Sequence, residues 1–254
     1  MRTLDGKHAL VTGGGSGIGA AVAYALAHAG AQVTICGRRT DDLEFTAERH
    51  THIHALTADV TDENEIAKLY RTAQKSRGHF AIVVANAGGV ESAPAEKISA
   101  GLWNKTLEVN LTGAFFSVQP ALTAMRAQKW GRIIFIASTA GLRGYAYVAH
   151  YVAAKHGVVG LARALAMETV KEGITVNAVC PGFTETSLLD RAVDRIAERT
   201  KVSETEARKA LLARNPQGRF IKPQEVADAV VWLCQEGSGV ITGQTISVSG
   251  GETW

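Results

Sequence analysis

Short apolar runs alternate along the chain with longer stretches in which apolar residues recur every three or four positions. The runs occupy 8–12, 31–36, 53–57, 80–85, 132–137, 174–179 and 244–248, each the length of a strand. Stretches near 17–29, 41–49, 62–76, 100–128, 148–171 and 223–235 carry the helical period. Strands that are apolar at nearly every position are covered on both faces. Helices between successive strands are the crossovers that parallel pairing needs. The pattern predicts a doubly wound α/β fold with a seven-stranded parallel sheet, in a single domain over 1–254.

One segment interrupts the alternation. Residues 185–222 carry nine basic and six acidic side chains between the sixth strand and the following helix. A helix over about 186–199 is expected there, and Ser203-Glu204-Thr205-Glu206 has the form of a capping box that starts a second one. An insertion after a strand's carboxyl end lies over the cleft where doubly wound sheets bind ligands. The segment therefore reads as a substrate lid.

Composition narrows the class without naming a function. The chain has 254 residues, 46% of them hydrophobic and 20% charged, with 26 glycines and 5 prolines, which excludes disorder and collagen. Lys plus Arg is 27 against 24 acids, and no run of five like charges occurs, so a dedicated nucleic-acid binder is disfavoured. No window approaches 18 consecutive apolar residues, and the N-terminus reaches charged residues before any apolar stretch. Membrane and secretory readings lose their support. Cys36, Cys180 and Cys234 are odd in number and widely spaced, and read as reduced packing residues of a cytoplasmic protein.

The first strand runs into Thr12-Gly13-Gly14-Gly15-Ser16-Gly17-Ile18-Gly19 and then directly into a helix. Glycines there permit a tight turn and close approach to a pyrophosphate, whose charge the helix N-terminus attracts. Strand, loop and helix in this order predict a dinucleotide site at Gly13, Ser16, Gly17, Ile18 and Gly19. The second strand ends in Cys36-Gly37-Arg38-Arg39, with no carboxylate to meet a ribose 2′-hydroxyl. Arg38, with Arg39 beside it, suits a 2′-phosphate. NADP(H) is favoured, with NAD(H) as the alternative.

The spacing Gly13-x-x-x-Gly17-x-Gly19 after Thr12 resembles the signature of the short-chain dehydrogenase/reductase family. Asn86-Ala87-Gly88 after the fourth strand and Pro181-Gly182 after the sixth match two further family motifs, and the likeness spans essentially the whole chain. It implies a Rossmann fold. It also implies cofactor contacts from Asn86, Ala87, Gly88, Tyr151, Pro181, Gly182 and Thr184, and from Asp59 and Val60 at the adenine. For Asp59 and Thr61 a plain helix-capping role is the competing reading.

Tyr151 and Lys155 stand at i and i+4 in a helical stretch and share one face. A tyrosine has a reference pKa of about 10, and a nearby ammonium lowers it toward useful acid–base chemistry. Ser138, just after the fifth strand, is placed to hydrogen-bond a substrate carbonyl. The family resemblance adds Asn110 in the long helix, as the holder of a water that links Lys155 to solvent. It implies the tetrad Asn110, Ser138, Tyr151 and Lys155, with Lys155 also contacting the nicotinamide ribose. Tyr145 and Tyr147 lack a lysine four residues on and read as pocket or core residues.

The segments around 136–141, 155–160 and 176–183 look like the branch containing 3-oxoacyl thioester reductases and polyketide ketoreductases. The expected partner is thus a small carbonyl or alcohol substrate, borne on coenzyme A or an acyl carrier protein. A free secondary alcohol, hydroxy acid, cyclic alcohol or steroid is the second reading, and a non-catalytic dinucleotide-sensing regulator the third. Arg191, Arg195, Arg208 and Arg214 either meet phosphates of such a substrate or, as the interspersed acids favour, are solvated helix faces. His50, His52 and His54 alternate without further ligands, so no metal is expected. His150 and His156 read as incidental surface residues, with a pocket-lining place as the alternative for His150, and Trp103, Trp130, Trp232 and Trp254 read as core, edge or subunit contacts. Family members pack the two long helices against partners, which implies a homodimer or homotetramer.

Overall fold

A computed structural model describes residues 3–253; Trp254 lies outside them. Seven parallel strands form one sheet: β1 (His8–Thr12), β2 (Gln32–Gly37), β3 (Ile53–Thr57), β4 (Ile82–Ala85), β5 (Gly131–Ile136), β6 (Ile174–Pro181) and β7 (Thr245–Val248). Their order is β3-β2-β1-β4-β5-β6-β7. Each lies within two residues of its expected position. The reason shows in β1: Leu10 packs into one hydrophobic cluster while Ala9 and Val11 pack into the other. Successive side chains leave opposite faces of a strand, so both faces being dry requires an unbroken apolar run.

Helices α1 (Gly17–His28), α2 (Thr40–Ala47), α3 (Glu63–Arg77), α4 (Ala100–Leu107), α5 (Gly113–Val118), α6 (Leu122–Gln128) and α7 (Ala149–Thr169) follow in chain order. After β6 come α8 (Ser187–Thr200), α9 (Glu204–Leu212) and α10 (Pro223–Cys234). The capping box of α9 is formed: Ser203 Oγ accepts from the Glu206 N–H at 3.2 Å, and Glu206 accepts from the Ser203 N–H at 2.9 Å. Helices α8 and α9 enclose a small cluster of their own, Leu189, Val193, Ala207 and Leu211.

The stretch 100–128 departs from the single helix its periodicity suggests. It is α4, a π-helical turn over Glu108–Thr112, α5, a 3-10 turn over Gln119–Ala121, and α6. Pro120 supplies no N–H to the helical ladder, which accounts for the second break. The first break carries Asn110. No helix among the described residues is long and apolar enough to cross a membrane. The three cysteines are free and buried.

Strand β1 pairs with β2 on one side and β4 on the other. Connections leave in opposite directions at this point, so the loops after these strands part and leave a crevice at their carboxyl ends.

Candidate active site and nucleotide cleft

The crevice is a cavity of about 930 Å³. Every residue that the sequence nominates for catalysis or cofactor binding lines it: Gly13, Ser16, Gly17, Ile18, Gly19, Arg38, Arg39, Asp59, Val60, Asn86, Ala87, Gly88, Asn110, Ser138, Tyr151, Lys155, Pro181, Gly182 and Thr184.

The loop after β1 is held from beneath. Thr12 Oγ1 accepts from the Asn86 and Ala87 N–H groups, each at 3.0 Å, and the Asn86 amide donates to Thr12 O at 2.9 Å. Gly13 adopts φ +65°, and a Cβ on Gly19 would stand 2.2 Å from Gly13 O, so the loop and the start of α1 touch backbone to backbone. Helix α1 begins at Gly17, and its N-cap Ser16 makes no side-chain capping bond. The first N–H groups of the helix are thus left for an anion. A cradle without side chains beneath an uncapped helix end fits a dinucleotide pyrophosphate.

At the β2–β3 end, Arg38 lies 3.8 Å from Asp59 and is largely exposed. Arg39 pairs with Asp42 and reaches Ser16 Oγ at 3.3 Å. Asp59 accepts from both the N–H and the hydroxyl of Thr61, at 3.0 and 2.9 Å. It thereby organises the turn before α3, whose own cap is Asp62.

At the other end, α7 presents Tyr151 and Lys155. Lys155 is buried and donates to Ile136 O at 2.8 Å, and its ammonium lies 5.7 Å from the centroid of the Tyr151 ring. Desolvation lowers the Lys155 pKa to about 8. Desolvation also raises the Tyr151 phenol to about 12, against the lowering expected from a nearby cation, while a hydrogen bond with Ser138 opposes the rise. Asn110, also buried, bonds to Gly89 and to Thr106 O. A Cβ on Gly88 would stand 2.6 Å from Asn110 Oδ1 and 3.7 Å from Lys155 Nζ, so only a glycine separates the two side chains.

A model of the family described as short chain dehydrogenase matches residues 7–197, well over half of the chain. The chain belongs to the short-chain dehydrogenase family. A Streptomyces coelicolor protein assigned as a ketoacyl reductase is 38% identical, covering 99% of this chain and 98% of its own. A D-beta-hydroxybutyrate dehydrogenase of Cupriavidus necator is 37% identical over 98% of each. Among solved structures, a variant of actinorhodin polyketide ketoreductase with NADPH has a TM-score of 0.94 and 37% identity, covering 97% of both chains. This short-chain dehydrogenase is accordingly an oxidoreductase that uses a nicotinamide dinucleotide to interconvert a carbonyl and an alcohol.

Several features of this dehydrogenase escape a reading of its sequence. Tyr145 does line the cavity, but its hydroxyl donates to Glu252 Oε1 at 2.6 Å and lies 2.8 Å from Thr139 Oγ1, the residue after Ser138. Glu252 is buried, and a Cβ on Gly182 would stand 3.0 Å from its Oε2. A partner 107 positions away leaves no local signal. His150 is fully buried, with neither ring nitrogen hydrogen-bonded, which corrects its reading as a surface histidine. The structure also shows which way the arginines of the 185–222 segment face. Arg191, Arg195 and Arg214 line the cavity, Arg191 and Arg214 while still exposed to solvent, and Arg208 alone of the four pairs with an acid, Asp190 at 2.6 Å.

Proposed function

We propose that the protein reduces a 3-oxoacyl thioester to the 3-hydroxyacyl thioester with NADPH, and that Asn110, Ser138, Tyr151 and Lys155 carry the reaction. The observation behind the reaction chemistry is the meeting of a phenol, a buried ammonium and a serine hydroxyl on one wall of the nucleotide cleft. When bound, the dinucleotide supplies hydride to the carbonyl carbon. Tyr151 holds the proton that the carbonyl oxygen receives, and a phenol near 12 keeps that proton at neutral pH until the oxygen acquires charge. Ser138 orients the carbonyl by hydrogen bonding. Lys155 holds positive charge behind the phenol and so favours phenolate as the proton leaves. It is also the residue to hold the nicotinamide ribose. Asn110 fixes the loop after β4.

The glycine loop, Ile18, Asn86, Ala87, Gly88, Pro181, Gly182 and Thr184 are assigned to the dinucleotide, with Asp59 and Val60 at its adenine. Arg38 and Arg39 are assigned to a 2′-phosphate, which favours NADP(H), as does the likeness to a ketoreductase solved with NADPH. Helices α8 and α9 are assigned as a lid.

The thioester follows from likeness to a ketoacyl reductase. A free hydroxy acid is the second reading, supported by likeness to a hydroxybutyrate dehydrogenase. Acetoacetyl-CoA turnover followed by NADPH absorbance tests the first. No reaction, alongside good turnover of 3-hydroxybutyrate or simple ketones, gives the second reading its place. Dinucleotide binding without turnover across a carbonyl panel makes the protein a sensor. Exposed Trp103 and Met167, on α4 and α7, support assembly through these helices as a homodimer or homotetramer. Buried free cysteines suit a reducing compartment such as the cytoplasm.

A further inference from the structure

Helix α8 turns one charge toward the cavity and the other away. Arg191, Arg195 and Arg199 stand at i, i+4 and i+8 and line the cavity, as does Arg214 beyond α9. The acids just before them, Asp190, Asp194 and Glu198, do not line it. Among the described residues, the carboxylates in the lining are Asp42 and Asp59, each beside Arg39 or Arg38 at the β2–β3 end.

None of the four arginines forms an ion pair among the described residues. Arg191 and Arg195 reach only the hydroxyls of Ser187 and Ser92, each at 3.4 Å, and the Arg214 guanidinium lies 5.3 Å from the Tyr145 ring centroid. Hydroxyls and ring faces leave the charge uncompensated, so this part of the cleft attracts anions.

The stripe has a direction. Thr186, just before α8, packs against the glycine loop: a Cβ on Gly17 would lie 3.0 Å from its methyl. Arg191 is thus nearest the pyrophosphate end. At a rise of about 1.5 Å per residue, Arg199 lies roughly 12 Å further along. Arg195 meets the loop after β4, and Arg214 stacks on Tyr145, whose hydroxyl meets the residue after Ser138.

We propose that Arg195, Arg199 and Arg214 bind the phosphate of a pantetheine arm that carries the acyl group. The proposal rests on the thioester reading and names the feature of the thioester that the protein recognises. The carboxylate of a short hydroxy acid sits within a few bonds of the reacting carbon and has no use for a stripe running out to exposed Arg199. A phosphate at the end of a long arm does, and guanidinium forks match its oxygens two at a time.

The test measures calorimetric binding of 4′-phosphopantetheine and of uncharged pantetheine to the NADP⁺-saturated protein. The phosphate is expected to tighten binding roughly tenfold, less in high salt. Arg195→Gln combined with Arg199→Gln brings the ratio near one, whereas Arg208→Gln, on the ion-paired outer side, leaves it intact. No binding of either compound, equal affinity for both, or a ratio that survives the double substitution overturns the proposal. Coenzyme A binding more tightly than phosphopantetheine identifies coenzyme A as the carrier, and equal or weaker binding identifies a carrier protein. Acetoacetyl-CoA turnover is read separately: its absence with the ratio intact overturns the thioester reading alone.

Discussion

Asn110 and Gly89 exchange two hydrogen bonds, with the Gly89 N–H donating to Asn110 Oδ1 at 3.2 Å and the Asn110 amide donating to Gly89 O at 2.9 Å. An amide presents donor and acceptor side by side, so it satisfies both backbone groups at once. Asn110→Ala leaves them unpartnered in a partly buried place. A loss of about 1–3 kcal/mol is expected in urea melts, together with a lower kcat as the loop loosens. An unchanged midpoint would show that water replaces the amide without cost.

Tyr151→Phe removes the proposed acid and leaves the glycine loop untouched. Turnover is expected to fall roughly 10²–10⁴-fold, with dinucleotide affinity by fluorescence titration within a few fold of the parent. Near-normal turnover would take the phenol out of the reaction.

Of the two arginines expected to distinguish the dinucleotides by charge, Arg38 has only a loose partner, Asp59 at 3.8 Å, whereas Arg39 is held by Asp42 and Ser16. Arg38→Ser is expected to lower kcat/KM for NADPH by roughly tenfold or more and to change that for NADH little. Equal losses with both cofactors would refute the 2′-phosphate role.

Acid sensitivity follows from His8. Its Nδ1 bonds Gly78 O and its Nε2 bonds Thr34 Oγ1, each at 2.9 Å, and burial lowers its pKa from 6.5 to about 4. The unfolded chain takes up this proton near pH 6.5 and the folded chain near 4. Stability therefore falls as pH drops through that window, by up to about 3 kcal/mol from this group. His8→Gln, which does not titrate, is expected to flatten the melting profile between pH 6.5 and 4. An equally steep profile in the variant would assign the sensitivity elsewhere.

Gly19→Ala places a methyl against Gly13 O, where the contact would be 2.2 Å. Relief requires the loop and α1 to part. Dinucleotide affinity is expected to fall at least about tenfold while the far-ultraviolet circular dichroism stays that of the parent. Unaltered affinity would mean that the loop moves freely.

The strands and the cleft were legible in the chain because their signals are local. A strand dry on both faces must be apolar throughout, and a cradle for a pyrophosphate must be glycine-rich where Gly13 and Gly19 touch. What was not legible depends on contacts between distant segments. The π-helical turn holds Asn110, whose partner Gly89 lies in another loop, and periodicity ran through it unbroken. Arg191 and Arg195 repeat at the same interval as Asp190 and Asp194, so spacing alone does not say which stripe faces inward. Leu189 and Val193 decide it by packing against Ala207 and Leu211. The Tyr151 pKa was expected to fall, because sequence reveals the neighbouring charge but not the loss of water around the phenol.

The three interior thiols have a practical use. Burial pushes Cys36 and Cys234 to about 12 and Cys180 to about 11, so thiolate, the form that alkylating reagents attack, is scarce at neutral pH. A single cysteine introduced on the outer face of α8 will accept a maleimide dye or spin label over a silent background. The surroundings of that helix can then be compared in solution with and without dinucleotide, on an otherwise natural chain.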